Sequence, residues 1–237
     1  MKTDIISVIR QQLVEQADAK TRSSSQSFFK EKIVFYGVKT PEVSRIARHY
    51  FKEIKPSGKA AMFAACEVLF KSGYVEEALI ACEWAYMIAD KYEPADFTVF
   101  ANWLGKYISN WATCDTLCNH TIGTFIEKYP QFMSNLKSWT HSDNRWFRRA
   151  AAVTLILPAR HGKFLPDIFE IADSLLSDKD DLVQKGYGWM LKEAGKAHQQ
   201  EVFDYVMRHK KIMPRTALRY AIEKMPADLK RLAMSKS

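Results

Sequence analysis

The chain has 237 residues, 47% of them apolar and 26% charged, which is the composition of a globular protein with a sizeable core. Charge interrupts the N-terminal segment MKTDIISVIRQQLVEQ too often for a secretory signal, and no apolar run approaches the ~18 residues of a membrane span. We therefore expect a cytosolic protein without membrane attachment. Lysine and arginine exceed aspartate and glutamate by 35 − 27 = 8, which favours a polyanionic partner such as nucleic acid.

Apolar residues recur at helical spacing along almost the whole chain. Segments that read as amphipathic helices are, in order, AAMFAACEVLFKS, VEEALIACEWAYMIADKY, DFTVFANWLGKYI, LPDIFEIADSLLSD and QQEVFDYVMRHK. Prolines fall at the joints between such segments, where the missing N–H costs nothing in a first helical turn. The pattern predicts an all-α fold of about twelve to fourteen helices and no strand.

An internal repeat accompanies these helices. An apolar residue followed three positions later by a small one occurs at Val75/Ala78, Trp111/Cys114, Phe147/Ala150 and Val183/Gly186, and the first members are 36 residues apart. This period is typical of HEAT-like or TPR-like solenoids, and the TPR consensus is absent. We predict a single HEAT-like α-solenoid domain over residues 1–237 with a concave basic groove. The alternative is a non-repetitive helical bundle.

The cysteines and histidines do not predict a metal site. No CxxC pair occurs, and the six histidines form no HxH or HExxH pattern. Cys118, Asn119 and His120 could belong to a metal cluster. We prefer the alternative, in which Cys114 and Cys118 are core cysteines one helical turn apart beside a surface histidine. We expect neither a metal nor a cofactor.

Three short segments, here called islands, contain residues that could carry chemistry. The first is NWATCDTLCNHTIG, residues 110–123. Trp111 and Asp115 are four residues apart, so a helix would place an indole beside a carboxylate on one face. The alternative is structural, with Asp115 capping or pairing locally and Trp111 in the core.

The second island is SDNRWFRRAA, residues 142–151. Its SDN opening is a good N-cap signal, yet the first turns that follow carry Arg145, Arg148 and Arg149 rather than acidic residues. Cations at the positive end of a helix are unfavourable unless a negative group lies opposite them. Aromatic residues interleaved with arginines are frequent where proteins meet nucleic acid, which favours a nucleic-acid phosphate as that group. The alternative is a solvated charged face.

The third island is DLVQKGYGWMLKEAGK, residues 181–196. Gly186 and Gly188 inside a helix cost about 1 kcal/mol each relative to alanine, which suggests close approach of another backbone or of a ligand. Trp189 and Lys192 follow on one face. The alternative is that the glycines serve helix packing and Trp189 is a core residue.

Periodicity does not decide whether these islands converge. In a strict 36-residue register, Trp111 and Asp115 occupy positions 0 and +4, whereas Arg149 and Trp189 occupy positions +2 and +6. At about 100° per residue the two pairs point to roughly opposite faces. Either the register slips by about a turn between repeats, or the islands do not converge.

These islands resemble the AlkD-type DNA alkylation repair glycosylases, which are built from HEAT-like repeats. The resemblance covers nearly the whole chain and is carried by VFYGVKTPEVSRIAR (34–48), Trp111 with Asp115, SDNRWFRRAA and QKGYGWMLKE (184–193). It implies a cofactor-free glycosylase that hydrolyses the N-glycosidic bond of N3- or N7-alkylpurines, such as 3-methyladenine and 7-methylguanine, in duplex DNA. Such an enzyme leaves an abasic site, acts as a monomer without an obligatory protein partner, and would work in the bacterial cytosol or nucleoid.

The resemblance also implies site residues. Asp115 would stabilise the cation that develops on the sugar and position water, Trp111 and Trp189 would flank it, and Arg149 would hold phosphate. Residues expected at the DNA are Phe28, Lys39, Thr40, Arg145, Arg148, Lys185 and Lys192, with nonspecific help from Arg208, Lys210, Lys211 and Arg215. The sequence departs from the family at Asn110 and Ala112, where a second tryptophan and a further aspartate are frequent, and at Lys192, where arginine is common.

Two alternatives to the enzyme remain open. One is a non-catalytic HEAT-like protein that binds nucleic acid or serves as a scaffold, because solenoids are mostly scaffolds. The other is a relative that binds DNA without excising a base. Asp115 together with its two indoles favours the enzyme.

Overall fold

The structure, a computed structural model, describes residues 4–235 and is all-α, which confirms the predicted fold class. Within these residues no strand occurs, and an isolated parallel bridge joins Val34 to Tyr74. None of the helices in this range has the length and apolar character needed to span a membrane. The chain divides into two compact units, Met1–Leu117 and Cys118–Ser237. The prediction of a single domain therefore stays a prediction.

The first unit contains seven α-helices in its described part. They are α1 (Ile5–Glu15), α2 (Ala19–Gln26), α3 (Thr40–Ile54), α4 (Gly58–Lys71), α5 (Val75–Met87), α6 (Asp96–Tyr107) and α7 (Trp111–Thr116), with 3₁₀ turns at Lys55–Ser57 and Ala89–Lys91. Helices α1, α3, α5 and α7 pack in succession, while α4 packs against α5 and α6. The fully buried Trp84 on α5 links this helix to α3, because its indole N–H donates to the Ala47 carbonyl at 2.8 Å.

The second unit begins inside a π-helical turn, Leu117–Ile122, that follows α7 directly. Its helices are α8 (Gly123–Lys128), α9 (Met133–Trp139), α10 (Arg145–Val153), α11 (Ile156–Arg160), α12 (Leu165–Leu175), α13 (Asp181–Ala194), α14 (Gln199–His209), α15 (Arg215–Ala221) and α16 (Ala227–Met234), with a 3₁₀ turn at Pro130–Phe132. Helices α10, α13 and α15 pack in succession. Helix α9 packs against α10 and α12, both α12 and α14 pack against α13, and α16 packs against α14. Short segments such as α8 and α11 account for the excess over the predicted number.

The 36-residue spacing marks the starts of four helices. Helices α5 and α7 begin at positions 75 and 111, whereas α10 and α13 begin two residues early, at 145 and 181. Counted from the N-caps Asn110 and Asn144, Asp115 and Arg149 are each the fifth residue of their helix, and Trp189 is the ninth after Asp180. The helix starts therefore slip by two residues relative to the 36-residue spacing. Counted from the start of each helix, Asp115 and Arg149 occupy the same position, and the position of Trp189 is one turn further along the same face.

Candidate functional site

In the first unit, a buried carboxylate shapes the segment that leads into α3. Glu76 is 2% exposed and accepts hydrogen bonds from the backbone N–H groups of residues 36–38, at 2.8 to 3.1 Å. Gly37 has φ 98°, and a Cβ at this position would lie 2.5 Å from the Asp18 carbonyl oxygen. Only glycine fits so close to α2 in this conformation. The segment delivers Lys39 and Thr40, both exposed, to the start of α3.

A second buried carboxylate supports the same segment. Glu77 is fully buried, and both of its oxygens accept hydrogen bonds from the Arg10 guanidinium at 3.0 to 3.1 Å. It also accepts the Tyr36 hydroxyl at 2.7 Å. Burial, and then this bond to a carboxylate, raise the pKa of the Tyr36 phenol. Sequence reasoning missed Glu76 and Glu77, because two adjacent acidic residues in the first turn of a helix normally face water.

The indole of Trp111 is anchored rather than buried. Trp111 is half-buried at the first position of α7, and its N–H donates to the Phe28 carbonyl at 3.3 Å. Its ring stacks on Phe29, with centroids 5.1 Å apart and planes at 17°. Phe28 itself is 73% exposed. The predicted aromatic contact at Phe28 thus stays open to a ligand, whereas Phe29, which the sequence did not single out, fixes the indole.

Asp115 lies one turn after Trp111 on α7 and is half-buried. Helix α7 starts where it does because the buried Asn110 caps it, accepting the Thr113 N–H at 3.0 Å. The departure from the family at position 110 therefore has a local structural role. Cys114 and Cys118 are fully buried, whereas His120 is exposed. The two cysteines are thus core residues and the histidine is a surface residue, whereas the absence of a metal stays a prediction.

In the second unit, the predicted helix start at the SDN motif is confirmed, since Asn144 caps α10 by accepting the Trp146 N–H at 2.9 Å. The arginines that follow meet acidic residues of this chain. Arg145 forms an ion pair with Asp180, in which Nη2 donates to Oδ1 at 3.2 Å and Nε lies 2.8 Å from Oδ2. Its guanidinium also lies 5.2 Å from the centroid of the Trp146 ring.

Arg148 is held by a carboxylate and by two backbone carbonyls. Its Nε pairs with Asp178 at 2.7 Å, and its Nη1 donates to the carbonyls of Ser142 and Asp143 at 2.8 and 3.0 Å. The Asp178 side chain is 9% exposed, so this pair is largely shielded from water. The chain itself thus supplies negative groups opposite the cationic start of α10, and the arginines join α10 to the turn before α13. A DNA contact of Arg145 or Arg148 stays a prediction.

Arg149 is 5% exposed and fixed by α13. Its Nη1 donates to the Leu182 carbonyl, and its Cγ would lie 3.4 Å from a Cβ added at Gly186. A methyl group at Gly186 would therefore be in ordinary van der Waals contact with the stem of Arg149, and this contact alone does not require a glycine. The phosphate contact predicted for Arg149 remains a prediction.

Gly188 serves helix packing. An added Cβ would lie 2.7 Å from Cβ of Tyr220 and 2.8 Å from the Ala217 carbonyl oxygen, both on α15. Side chains at these distances are in steric conflict, so the glycine lets α13 and α15 approach closely. The structural alternative stated for the glycines is correct at this position.

Trp189 is half-buried on α13, so it is not a simple core residue. Its N–H donates to Oε1 of Glu193 at 3.3 Å. Glu193 is 4% exposed, and its Oε2 accepts Arg160 at 2.8 Å and Lys196 at 2.6 Å. Burial raises the pKa of Glu193, but the hydrogen bonds from Lys196 and Arg160 outweigh it, and the net pKa is lowered. Glu193 closes the motif QKGYGWMLKE, and its four-residue spacing from Trp189 was a signal that the sequence offered.

The two lysines of the predicted site on α13 are also paired. Lys185 pairs with Asp181 at 3.2 Å and Lys192 with Glu223 at 2.9 Å. The Lys192 side chain is 13% exposed and lies 5.8 Å from the centroid of the Tyr220 ring. Among residues 4–235, no group of three His, Cys, Asp or Glu side chains has an arrangement that could hold a metal ion.

Comparison with known proteins gives a family. The family model described as DNA alkylation repair enzyme matches residues 9–225. A solved structure described as a predicted DNA alkylation repair enzyme from Enterococcus faecalis has a TM-score of 0.80 and 16% sequence identity, and the match covers 90% of this chain and 98% of that one. At this identity the likeness shows the fold alone. No curated protein matches the chain in sequence. Because the family model spans most of its length, the chain belongs to the DNA alkylation repair enzyme family.

Proposed function

We propose that this protein is a monofunctional DNA glycosylase that removes cationic N3- or N7-alkylpurines, such as 3-methyladenine and 7-methylguanine, from duplex DNA. The observation that carries the proposal is the pair on α7, with Asp115 one turn after an indole whose plane Phe29 and the Phe28 carbonyl fix. Family membership supports alkylated DNA as the target.

The chemistry of the lesion suits a carboxylate. An N3- or N7-alkylated purine carries a positive charge and is a good leaving group, so a general acid is not needed. Positive charge develops on the deoxyribose as the glycosidic bond breaks. A carboxylate at Asp115 would stabilise this charge and orient a water molecule, which is worth several kcal/mol in a partly dry site. Water then adds to the sugar and leaves an abasic site without strand cleavage.

The other proposed residues bind rather than react. Trp111 and Trp189 offer ring faces to a cationic sugar or base, each worth about 0.5–2 kcal/mol. Arg149 would hold a backbone phosphate, since a guanidinium presents several donors in a fixed plane. DNA contacts would come from Phe28, Lys39, Thr40, Arg145, Arg148, Lys185 and Lys192. The contacts made by the basic residues among them would add salt-dependent affinity for DNA.

The test is release of free 7-methylguanine from methylated duplex DNA by the wild type, Asp115→Asn and the matched control Asp204→Asn. Asp204 is exposed on α14 and binds Gln200 at 2.8 Å. We expect release by the wild type and the control, and at least a ~100-fold slower rate for Asp115→Asn. DNA affinity of Asp115→Asn should be unchanged or higher, because a negative charge is removed.

Two outcomes would contradict the proposal. If the wild type binds methylated duplex DNA but releases no base, the protein is a non-catalytic DNA-binding member of the family. If Asp115→Asn releases the base as fast as the wild type, Asp115 is not the catalytic carboxylate.

A further inference from the structure

The indole of Trp189 has an anionic partner. Its N–H donates to a carboxylate oxygen, Oε1 of Glu193, whereas the Trp111 N–H donates to a neutral backbone carbonyl. Glu193 lies four residues after Trp189 on α13, so one helical turn sets the pairing. The two indoles assigned to the proposed function therefore differ in the charge placed at their nitrogen edge.

The two oxygens of the Glu193 carboxylate have different partners, and these contacts hold it in place. Oε2 accepts both Arg160 Nε at 2.8 Å and Lys196 Nζ at 2.6 Å, which leaves Oε1 directed to the indole. Glu193 is 4% exposed, while the Arg160 and Lys196 side chains are 44% and 43% exposed. Water therefore screens the two cations more than it screens the carboxylate.

A negative acceptor on the indole N–H changes the ring. A charged acceptor makes a stronger hydrogen bond than a neutral one and draws the N–H dipole toward itself. Electron density shifts into the ring, and the face becomes more negative. The attraction of the face for a cation increases accordingly, because that attraction is electrostatic.

We propose that Glu193 is a positioning residue of the glycosylase, which fixes the plane of Trp189 and makes its ring face selective for a positively charged ligand. The inference rests on the proposed function, in which Trp189 meets the cationic sugar or base. Glu193 lies one helical turn after Trp189, the residue that would contact DNA, and it would add to the selectivity of the site for a positive charge.

Glu193→Gln is the informative change because an amide has one acceptor oxygen. Arg160 and Lys196 both need that oxygen, so the amide NH₂ would turn toward the Trp189 N–H, and two donors would face each other. The variant loses both the charge and the acceptor at the indole. Arg160→Met and Lys196→Met are the matched controls, since each removes one cation from the same carboxylate and leaves the bond to Trp189.

The measurement compares binding of two duplexes that differ in one charge. In one, a protonated pyrrolidine ring replaces a deoxyribose, and in the other a neutral tetrahydrofuran ring does so. For the wild type we expect tighter binding of the pyrrolidine duplex. Glu193→Gln should lower the ratio of the two affinities by about 3- to 30-fold, the range of a single cation–π contact, and lower kcat for 7-methylguanine release similarly. The two control variants should not lower the ratio, even where their thermal stability falls, because each keeps the carboxylate at the indole and removes a positive charge near it.

The outcomes separate the inference from the function it rests on. A wild type that releases 7-methylguanine, together with a Glu193→Gln variant whose affinity ratio and kcat are unchanged, overturns the inference and leaves the glycosylase standing. A wild type that releases no base overturns both. If Glu193→Gln does not fold, Trp189→Phe carries the test, because it keeps an aromatic ring without an N–H. An unchanged affinity ratio in Trp189→Phe also overturns the inference.

Discussion

Replacing each of the two glycines of α13 by alanine should change stability in opposite directions. Alanine is favoured over glycine inside a helix by about 1 kcal/mol, so helix propensity alone predicts two stabilised variants. The surroundings of the added methyl group differ. At Gly186 its nearest neighbours are Arg149 Cγ and Val153 Cγ1, both at 3.4 Å, which is ordinary van der Waals contact.

At Gly188 the added methyl group has no room. It would lie 2.7 Å from Tyr220 Cβ, 2.8 Å from the Ala217 carbonyl oxygen and 3.1 Å from Ala217 Cα. Two of these atoms are backbone, so α15 would have to move away from α13. Overpacking of this kind costs about 1–3 kcal/mol and exceeds the gain in propensity. We expect Gly186→Ala to be neutral or up to about 1 kcal/mol more stable, and Gly188→Ala to be about 1–2 kcal/mol less stable.

Urea unfolding followed by circular dichroism measures the difference. The urea concentration at the midpoint of unfolding should be lower for Gly188→Ala than for Gly186→Ala. The slope of the unfolding free energy against urea concentration should be similar for both variants. Equal midpoints, or a higher midpoint for Gly188→Ala, would refute the argument that Gly188 is present for close packing of α15. The wild type provides the reference for the sign of each change.

Two further results are expected. Phe29→Ala should lower the unfolding free energy by about 1–2 kcal/mol and shift the tryptophan emission to the red, because Trp111 loses its stacking partner. Phe28→Ala, at a neighbouring side chain that is 73% exposed, should change stability by less than about 0.5 kcal/mol, and equal losses in the two variants would contradict this. The lowered pKa of Glu193 implies stability that is present above the ordinary glutamate pKa of about 4.3 and is lost as the pH falls below it. Between about pH 5 and pH 3, the urea midpoint of Glu193→Gln should therefore fall less than that of the wild type, and an equal fall would be the contrary result.

The all-α fold and the starts of its helices were predictable from local patterns. Apolar spacing located α4, α5, α6, α12 and α14, and the SDN motif located the start of α10. These features depend on residues within about one turn of each other, so a single sequence contains them. The resemblance pointed to the family that the family model then showed.

Contacts between distant residues were decided only by the tertiary structure. The three-arginine start of α10 suggested a missing DNA phosphate, but Asp178 and Asp180, about 30 residues later, already lie opposite it. No local rule pairs side chains at that separation, because packing of α10 on α13 brings them together.

The same reason separates what was found at the site from what was missed. Trp111 and Asp115 could be paired from their spacing on one helix, and Glu193 could have been paired with Trp189 in the same way. Phe29 stacks on Trp111, which is 82 residues away in the sequence, and Glu76 binds backbone N–H groups 38 to 40 residues away. The sequence by itself determined which residues share a helical face. The tertiary structure alone determined what lies opposite that face, since burial and hydrogen bonding depend on how the helices pack.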